Sequence, residues 1–340
     1  CQWILDEQFA TAQMQATTAG MAAGIVHDLA VGVHPDGADA WALQDVLAKS
    51  MNVGAPPDMY NQMGQDWSQP PWRPDALAET GYAAYRDMLR TILRHAGGIR
   101  VDHALGLFRL WWIPAGAKPY EGTYVRFDHE AMVGILALEA LRADAFVVGE
   151  DLGTVEDWIV DYLHTRGILG TSILWFEHNE HGLPREPERW RDMCFASVTV
   201  HDLPPTAGML QGEHVRIRHD LGILARPVDD EWTDWNRERA NWLSVLRQRG
   251  LLTGQGEPSI QEFVEALHRY LALTPARMRA IGLPDIVGDV RAQNQPGTNR
   301  EYPNWCVPTC DAEGMAITIE DLTGRADLAD RADQIGRAHV

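Results

Sequence analysis

Three acidic residues follow short apolar runs that have the length and composition of buried strands. Asp102 follows "GIRV", Glu150 follows "FVVG" and Asp202 closes "SVTVHD". Glycosyl transfer uses such a set, because one ionised carboxylate attacks the anomeric carbon while a protonated carboxyl donates to the leaving oxygen. A third carboxylate can bind sugar hydroxyls. We therefore predict that Asp102, Glu150 and Asp202 are catalytic.

Neighbouring residues indicate which acid has which role. Arg100 lies two positions before Asp102, so both side chains share one face of a strand, and a guanidinium there favours an ionised, nucleophilic carboxylate. Glu150 follows an apolar run, and apolar surroundings raise the pKa of a carboxyl toward the range of a working acid. We predict that Asp102 attacks and that Glu150 donates the proton.

Structural roles compete with this interpretation. Taken singly, an acid at a strand end caps the next helix or forms a structural ion pair slightly more often than it catalyses. Polar pairs recur at four strand ends, however, and recurrence favours a site. These pairs are His27-Asp28, Asp102-His103, Glu150-Asp151 and His201-Asp202.

Strand-like runs alternate with helical segments over the first two hundred residues. The runs are apolar on both faces, as in parallel sheets, and cover residues 24–33, 97–103, 145–151, 170–177 and 195–202. This alternation predicts an α/β fold, either an open doubly wound sheet or a closed (β/α)₈ barrel. We favour the barrel, because a barrel draws its site from the carboxyl ends of many strands.

Helices are predicted between and after these strands. Apolar spacing predicts one helix from Pro74 to His95, and Asp128 is placed to cap the following helix. Beyond Pro205 long helical segments dominate, around residues 205–275. A connection rich in Gly and Pro follows them, and no domain boundary is evident.

The ends of the chain suggest a fragment. The chain lacks an initiator Met and opens in helix-like periodicity, while "IGRAHV" at 335–340 reads as a non-native tail. We expect a partial barrel over residues 1–334 that lacks its first βα units. Such a barrel exposes sheet edges and core, so we expect this chain alone to be unstable or inactive.

Composition excludes several function classes. The net charge of −19 disfavours nucleic acid or an anionic membrane as a partner. The only lysines, Lys49 and Lys118, do not end strand-like runs, and no phosphate-cradling glycine motif occurs. Cys306 and Cys310 are too few for a zinc site. No membrane span or signal sequence is visible, so we expect a cytoplasmic protein.

Tryptophan is abundant, with 13 residues in the chain. Trp67, Trp72, Trp111 and Trp112 fall in predicted loops near the strand ends. Aromatic faces pack on the C–H faces of sugar rings, although core packing is the ordinary role of tryptophan. For Trp111 and Trp112 the two roles are equally supported, because adjacent residues of an extended segment point opposite ways.

The motifs "GIRVDHALGLFRLWWIPAG", "VVGEDLGTV", "VTVHDLPP" and "NQPGTNREYPNW" together resemble those of the 4-alpha-glucanotransferases, the amylomaltases of glycoside hydrolase family 77. The segments "GAPPDMYNQMGQDWSQPPW" and "HDLAVGVHPDGADAW" resemble the substrate-covering loop and the preceding strand of that family. Each motif alone is weak, but their common order along residues 1–325 is specific.

The resemblance implies a retaining transferase that cuts α-1,4-glucan and passes the segment to another maltooligosaccharide through a covalent intermediate. It implies no metal and no organic cofactor. By position in the motifs, Asp102 is the nucleophile, Glu150 the acid/base and Asp202 the transition-state stabiliser. The implied substrate-binding residues are Arg100, His201, Asp28, Asn294, Tyr60 and Trp67.

Three other functions fit part of the pattern. An α-glucan hydrolase of the amylase kind uses the same carboxylates but passes the sugar to water. A metal-dependent barrel hydrolase also places Asp and His at strand ends, although the clustered ligand spacing of such sites is absent. A catalytically inactive scaffold would bind glucan without turnover.

Overall fold

The computed structural model describes residues 1–57, 64–153 and 155–337. The chain divides into two compact units, Cys1–Thr171 and Ser172–Val340. Both contain helices and strands, so the predicted α/β class is confirmed. Within the described part of the chain, no helix is long and apolar enough to cross a membrane.

The first unit contains seven strands and six helices among its described residues. The strands are β1 Val26–Leu29, β2 Met51–Ala55, β3 Gln65–Gln69, β4 Gly98–Val101, β5 Arg109–Pro114, β6 Thr123–Arg126 and β7 Phe146–Gly149. The helices are α1 Gln2–Thr18, α2 Ala38–Ala42, α3 Pro74–Glu79, α4 Ala83–Leu93, α5 His129–Arg142 and α6 Asp157–Thr165.

A parallel sheet of order β1-β4-β7 lies at the centre of this unit. One face of its middle strand is apolar, since Ile99 and Val101 lie on it and are buried. Helices α4 and α5 cover it with buried Leu89, Val133 and Leu136 in one apolar cluster. The parallel pairing predicted for these three runs is confirmed.

A second sheet in this unit is antiparallel, of order β3-β2-β5-β6. This sheet was not predicted from the sequence. Strand β5 carries the tryptophan pair, and its two residues do point opposite ways. The indole of Trp111 donates to the carbonyl of Pro119 and meets Tyr124 edge-on, while Trp112 packs against the apolar cluster.

The helix predicted from Pro74 to His95 is wrong as a single element, because it is two helices. Gly81 and Tyr82 both have positive φ, at 60° and 57°, and this left-handed backbone ends α3 and redirects the chain into α4. The apolar face of α4 is as predicted, with Tyr85, Leu89 and Leu93 buried. Asp128 caps α5, as predicted, by accepting from the Ala131 amide.

The second unit is mainly helical. Strand β8, Gly170–Ile173, spans the boundary between the units, and β9 Cys194–Ser197 and β10 Met278–Ala280 follow in a sheet of order β10-β9-β8. The helices are α7 Thr206–Leu210, α8 Glu213–Asp220, α9 Val228–Gln248, α10 Ile260–Ala272, α11 Leu283–Val287, α12 Ile319–Gly324 and α13 Ala326–Arg337.

The long predicted helices of this unit are confirmed as α9 and α10. Ser259 begins α10 with a capping box, in which its side chain and that of Glu262 bond to each other's backbone amides. The buried faces of both helices carry Trp242, Leu267 and Tyr270. Helix α13 continues through Ile335, which is fully buried, so the predicted tail begins inside a helix.

Candidate active site

The first group of polar side chains lies at one edge of the parallel sheet, because the register of the strands brings them there. In β1, β4 and β7, Asp28 pairs with Arg100 and Arg100 pairs with Val148. Parallel strands in register bring their carboxyl ends to one edge of the sheet. Asp28, Asp102 and Glu150 lie at these ends, and Arg100 reaches the same edge from β4.

Arg100 joins the two aspartates of this edge. Its guanidinium lies 2.7 and 2.9 Å from the two carboxylate oxygens of Asp28 and 3.0 Å from an oxygen of Asp102. Burial alone would lower the pKa of Arg100, but the carboxylates beside it raise that pKa above its ordinary value. The predicted contact between Arg100 and Asp102 is confirmed.

The backbone of Asp102 is hydrogen-bonded as well. Its amide donates to the carbonyl of Leu29 at 2.9 Å, so the hydrogen-bond ladder between β1 and β4 continues one residue past the strand. The side chain, which is about one third exposed, keeps its contact with Arg100. An accessible carboxylate beside a fixed cation suits a nucleophile.

Glu150 has a different environment. Its amide donates to Val101, and its carboxyl oxygens accept from the amides of Leu152 at 2.8 Å and His103 at 3.0 Å. The pKa of Glu150 is raised to about 7, chiefly by burial and in part by the negative charge of Asp102, against the opposing effects of the two amides and of Arg100. The raised pKa expected from the apolar run "FVVG" agrees with this environment.

The backbone turns sharply between these two acids. His103 has a φ of 45°, a left-handed conformation that is rare for a non-glycine residue, and this turn points its amide at Glu150. Its ring meets the ring of Trp67 edge-on, with centroids 5.4 Å apart. Burial lowers the pKa of His103, which favours a neutral ring.

A second group of predicted residues lies in the second unit. The amide nitrogen of Asn294 donates to Asp202 at 2.7 Å, and His201 Nε2 lies 3.6 Å from the other oxygen of Asp202. The ring of Trp305 lies over His201, with centroids 5.2 Å apart. Within this unit the structure therefore brings together His201, Asp202 and Asn294.

The nine predicted site residues lie in two groups, apart from Trp67 and Tyr60, and His201, Asp202 and Asn294 form the second group. Asp28, Arg100, Asp102 and Glu150 form the first group, with Trp67 contacting it through His103. Tyr60 lies outside the described residues. The roles assigned to all nine residues stay predictions.

Two features of the site were missed by sequence reasoning. The amides of His103 and Leu152 that bind Glu150 depend on local backbone geometry, for which the residue types give no signal. Trp305 lies in the quoted motif "NQPGTNREYPNW", and its position after a Pro-Asn turn was the available signal.

Among residues 1–57, 64–153 and 155–337, no three His, Cys, Asp or Glu side chains are grouped so that they could hold a metal ion. The chemistry available to the first group is acid–base and nucleophilic. A carboxyl beside a guanidinium, at Asp102, and a carboxyl of raised pKa, at Glu150, match the two functions that a retaining glycosyl transfer needs.

Comparison with known proteins places this geometry in context. The sequence profile of glycoside hydrolase family 77, described as 4-alpha-glucanotransferase, matches residues 1–311. A 4-alpha-glucanotransferase of Mycobacterium tuberculosis is 60% identical over 325 residues, which are 94% of this chain and 45% of the relative. One from Haemophilus influenzae is 32% identical over 90% of this chain and 44% of its own.

A solved structure is also similar. The crystal structure of amylomaltase from Corynebacterium glutamicum matches with a TM-score of 0.94 and 51% identity, covering 99% of this chain and 49% of that one. This chain thus spans about half the length of the curated relatives it matches.

Proposed function

Since the chain belongs to the 4-alpha-glucanotransferase family, glycoside hydrolase family 77, we propose that the whole protein transfers α-1,4-glucan segments between maltooligosaccharides. The reaction is a retaining double displacement through a covalent glycosyl-Asp102 intermediate. Because this chain spans about half the length of its relatives, the activity is assigned to the whole protein.

The observation that carries this proposal is the contrast between the two acids at the sheet edge. Asp102 lies 3.0 Å from the Arg100 guanidinium, which stabilises its negative charge, whereas burial raises the pKa of Glu150 to about 7. Near neutral pH one acid is therefore available to attack and the other retains a proton to donate. Two carboxyls with opposed environments are typical of glycosidic catalysis.

In the first step, a carboxylate oxygen of Asp102 forms a bond to the anomeric carbon of the donor glucan. The bond from that carbon to the leaving oxygen breaks, and the proton of Glu150 moves to this oxygen. The leaving chain departs with a free 4-hydroxyl, and Glu150 becomes a carboxylate.

In the second step, the 4-hydroxyl of an acceptor glucan attacks the same carbon. Its proton moves to Glu150, and the bond to Asp102 breaks, which returns both residues to their starting states. Two inversions leave the α configuration unchanged. For Asp202 we propose the role of transition-state stabiliser, with Asn294 and His201 fixing its carboxylate.

The remaining predicted residues bind sugar hydroxyls and rings in this proposal. Asp28 and Arg100 act at the reacting sugar, while Trp67 and Tyr60 act further along the glucan. The fold that the proposal requires is the (β/α)₈ barrel, and the parallel order β1-β4-β7 supports it. A barrel gathers groups from several strand ends, which suits residues on β1, β4 and β7.

Hydrolysis of α-glucan is the second candidate, because the same carboxylates serve when water replaces the acceptor. Incubation of the full-length protein with maltotriose separates the two functions. Transfer predicts a ladder of oligomers longer than maltotriose, since segments move from chain to chain. Glucose and maltose as sole products would contradict transfer and support hydrolysis.

A further inference from the structure

Trp305 combines exposure with a strained backbone. Its side chain is 63% exposed, although tryptophan is a large apolar residue. Its φ is 61°, in the left-handed region that costs free energy for any residue with a Cβ. Such strain persists only where surrounding contacts enforce it, and it is typical of ligand-binding positions. A single exposed tryptophan is ordinary, so the contacts around it decide its meaning.

The loop that carries Trp305 is tied to the residues on both sides of Asn294. The amide of Trp305 donates to the carbonyl of Gln293 at 2.8 Å. On the other side, the amide of Gln295 donates to the side-chain oxygen of Asn304 at 2.8 Å. The nitrogen of that Asn304 side chain donates to Thr298 Oγ1 at 2.9 Å. The turn at 304–305 therefore fixes the backbone of Asn294.

This arrangement places an aromatic ring next to polar groups that suit hydroxyls. Asn294 donates to Asp202, and the Trp305 ring lies 5.2 Å from the His201 ring at 54° to it. Contact with His201 uses only part of the indole, since most of the side chain faces solvent. A flat apolar surface beside an amide, an imidazole and a carboxylate is complementary to a hydroxylated ring with apolar faces.

We propose that Trp305 is a sugar-binding residue, whose indole packs on the C–H face of one glucose unit while Asp202 and Asn294 bind hydroxyls. The inference deepens the proposed function and rests on it, since it names a contact that holds the glucan. An uncharged sugar is favoured over a nucleotide, because a chain of net charge −19 repels phosphate. Trp305 acts on binding more than on the chemical steps.

Binding is measured with the full-length protein that carries Asp102→Asn, so that no turnover consumes the ligand. Maltotetraose is titrated into this protein by calorimetry, with and without Trp305→Ala. We expect the Kd to rise at least about tenfold with Trp305→Ala, since loss of one aromatic contact with a ring is worth about 1.4 kcal/mol or more. Trp305→Phe keeps a ring and should stay within about threefold of the parent.

The matched control is Trp41→Ala, which removes another exposed tryptophan, from helix α2. It should leave the Kd unchanged. In the active enzyme, Trp305→Ala should raise KM for maltotriose more than it lowers kcat. An unchanged Kd for Trp305→Ala overturns the proposal, and so does an equal loss in Trp305→Phe, which would assign the residue a backbone role.

Maltotriose turnover by the unmutated enzyme distinguishes failure of the proposed function from failure of the role proposed for Trp305. A protein that builds the maltotriose ladder but binds equally well without Trp305 refutes only the role of this residue. A protein that neither builds the ladder nor binds maltotetraose refutes the proposed function, and the role of Trp305 with it.

Discussion

Glu150 and Asp102 are close in the sheet but differ in what surrounds them. Two backbone amides and partial burial define the environment of Glu150, whereas the carboxylate of Asp102 is about one third exposed and contacts the guanidinium of Arg100. The effect of burial on Glu150 exceeds that of its amide partners, and its pKa rises to about 7. Desolvation and neighbouring charge thus give the same functional group, a carboxyl, the properties expected of a proton donor in Glu150 and of a nucleophile in Asp102.

The raised pKa of Glu150 predicts the alkaline side of the pH profile. The first step needs the protonated acid, so kcat/KM for maltotriose should fall as pH rises through about 7. Glu150→Gln should lower activity by at least about a hundredfold and remove this fall. Glu180→Gln, at a highly exposed position, is the control and should leave the profile unchanged. A wild-type profile flat from pH 6 to 9 would contradict the assignment.

Stability should change with pH for the same reason. The folded pKa of Glu150 lies above the ordinary value of 4.5, so the folded state binds the proton more tightly than the unfolded state. Its favourable contribution is complete below pH 4.5 and is lost as pH rises through about 7, by up to about 3 kcal/mol. Against Glu150→Gln, the wild-type melting temperature should therefore fall over this window.

For individual residues, much of the candidate site was predictable from the sequence. Side chains alternate between the two faces of a strand, and this alternation was enough to predict the contact of Arg100 with Asp102. The apolar run before Glu150 was enough to expect its raised pKa. The left-handed turns at His103 and Trp305 were not predictable. Positive φ is uncommon for both residue types, although less so for histidine, and the surrounding contacts specify those conformations.

At the scale of elements, strand pairing was easier to predict than helix boundaries. Apolar runs bounded by Gly identified β1, β4 and β7. For β1 the expected burial on both faces is wrong, since Val26 and Asp28 are exposed. The break between α3 and α4 was missed, since helical periodicity continues across Gly81 and Tyr82. The antiparallel sheet was missed because its strands β3 and β6 are largely polar and exposed.

A buried polar network fixes the helix that follows the Asp202 loop. Asp285 accepts from the amide of Thr206 at 3.0 Å, from its hydroxyl at 2.7 Å and from His268 at 2.9 Å. All three side chains are buried. Thr206 is the first residue of α7, four positions after Asp202, so Asp285 holds the start of this helix against α10 and α11.

Removal of Asp285 should loosen this unit. Asp285→Ala leaves the buried donors of Thr206 and His268 without their carboxylate, which costs about 3–5 kcal/mol. We expect a lower melting temperature and faster hydrogen exchange of the α7 amides in the full-length protein. Asp220→Ala is the matched control, because Asp220 contacts His219 at the surface and its loss should cost less than about 0.5 kcal/mol. Equal effects of the two substitutions would contradict a supporting role for Asp285.

At the scale of the whole molecule, composition narrowed the function without identifying it. A net charge of −19 disfavours nucleic acid, and 13 tryptophans suit a sugar, yet neither number identifies a reaction. The α/β class followed from alternation of elements and is confirmed by a TM-score of 0.94 to an amylomaltase. The predicted (β/α)₈ barrel stays a prediction, because the strands pair in separate sheets, of which β1-β4-β7 is parallel throughout.

Direct trapping tests whether Asp102 forms the proposed covalent bond to glucan. The full-length Glu150→Gln protein is incubated with α-maltotriosyl fluoride, whose leaving group needs no proton. Without Glu150 to activate an acceptor, the intermediate should accumulate. Mass spectrometry of the tryptic peptide 101–109 should then show one added maltotriosyl group on Asp102. A label on another residue, or fluoride release without any label on the protein, would contradict the account.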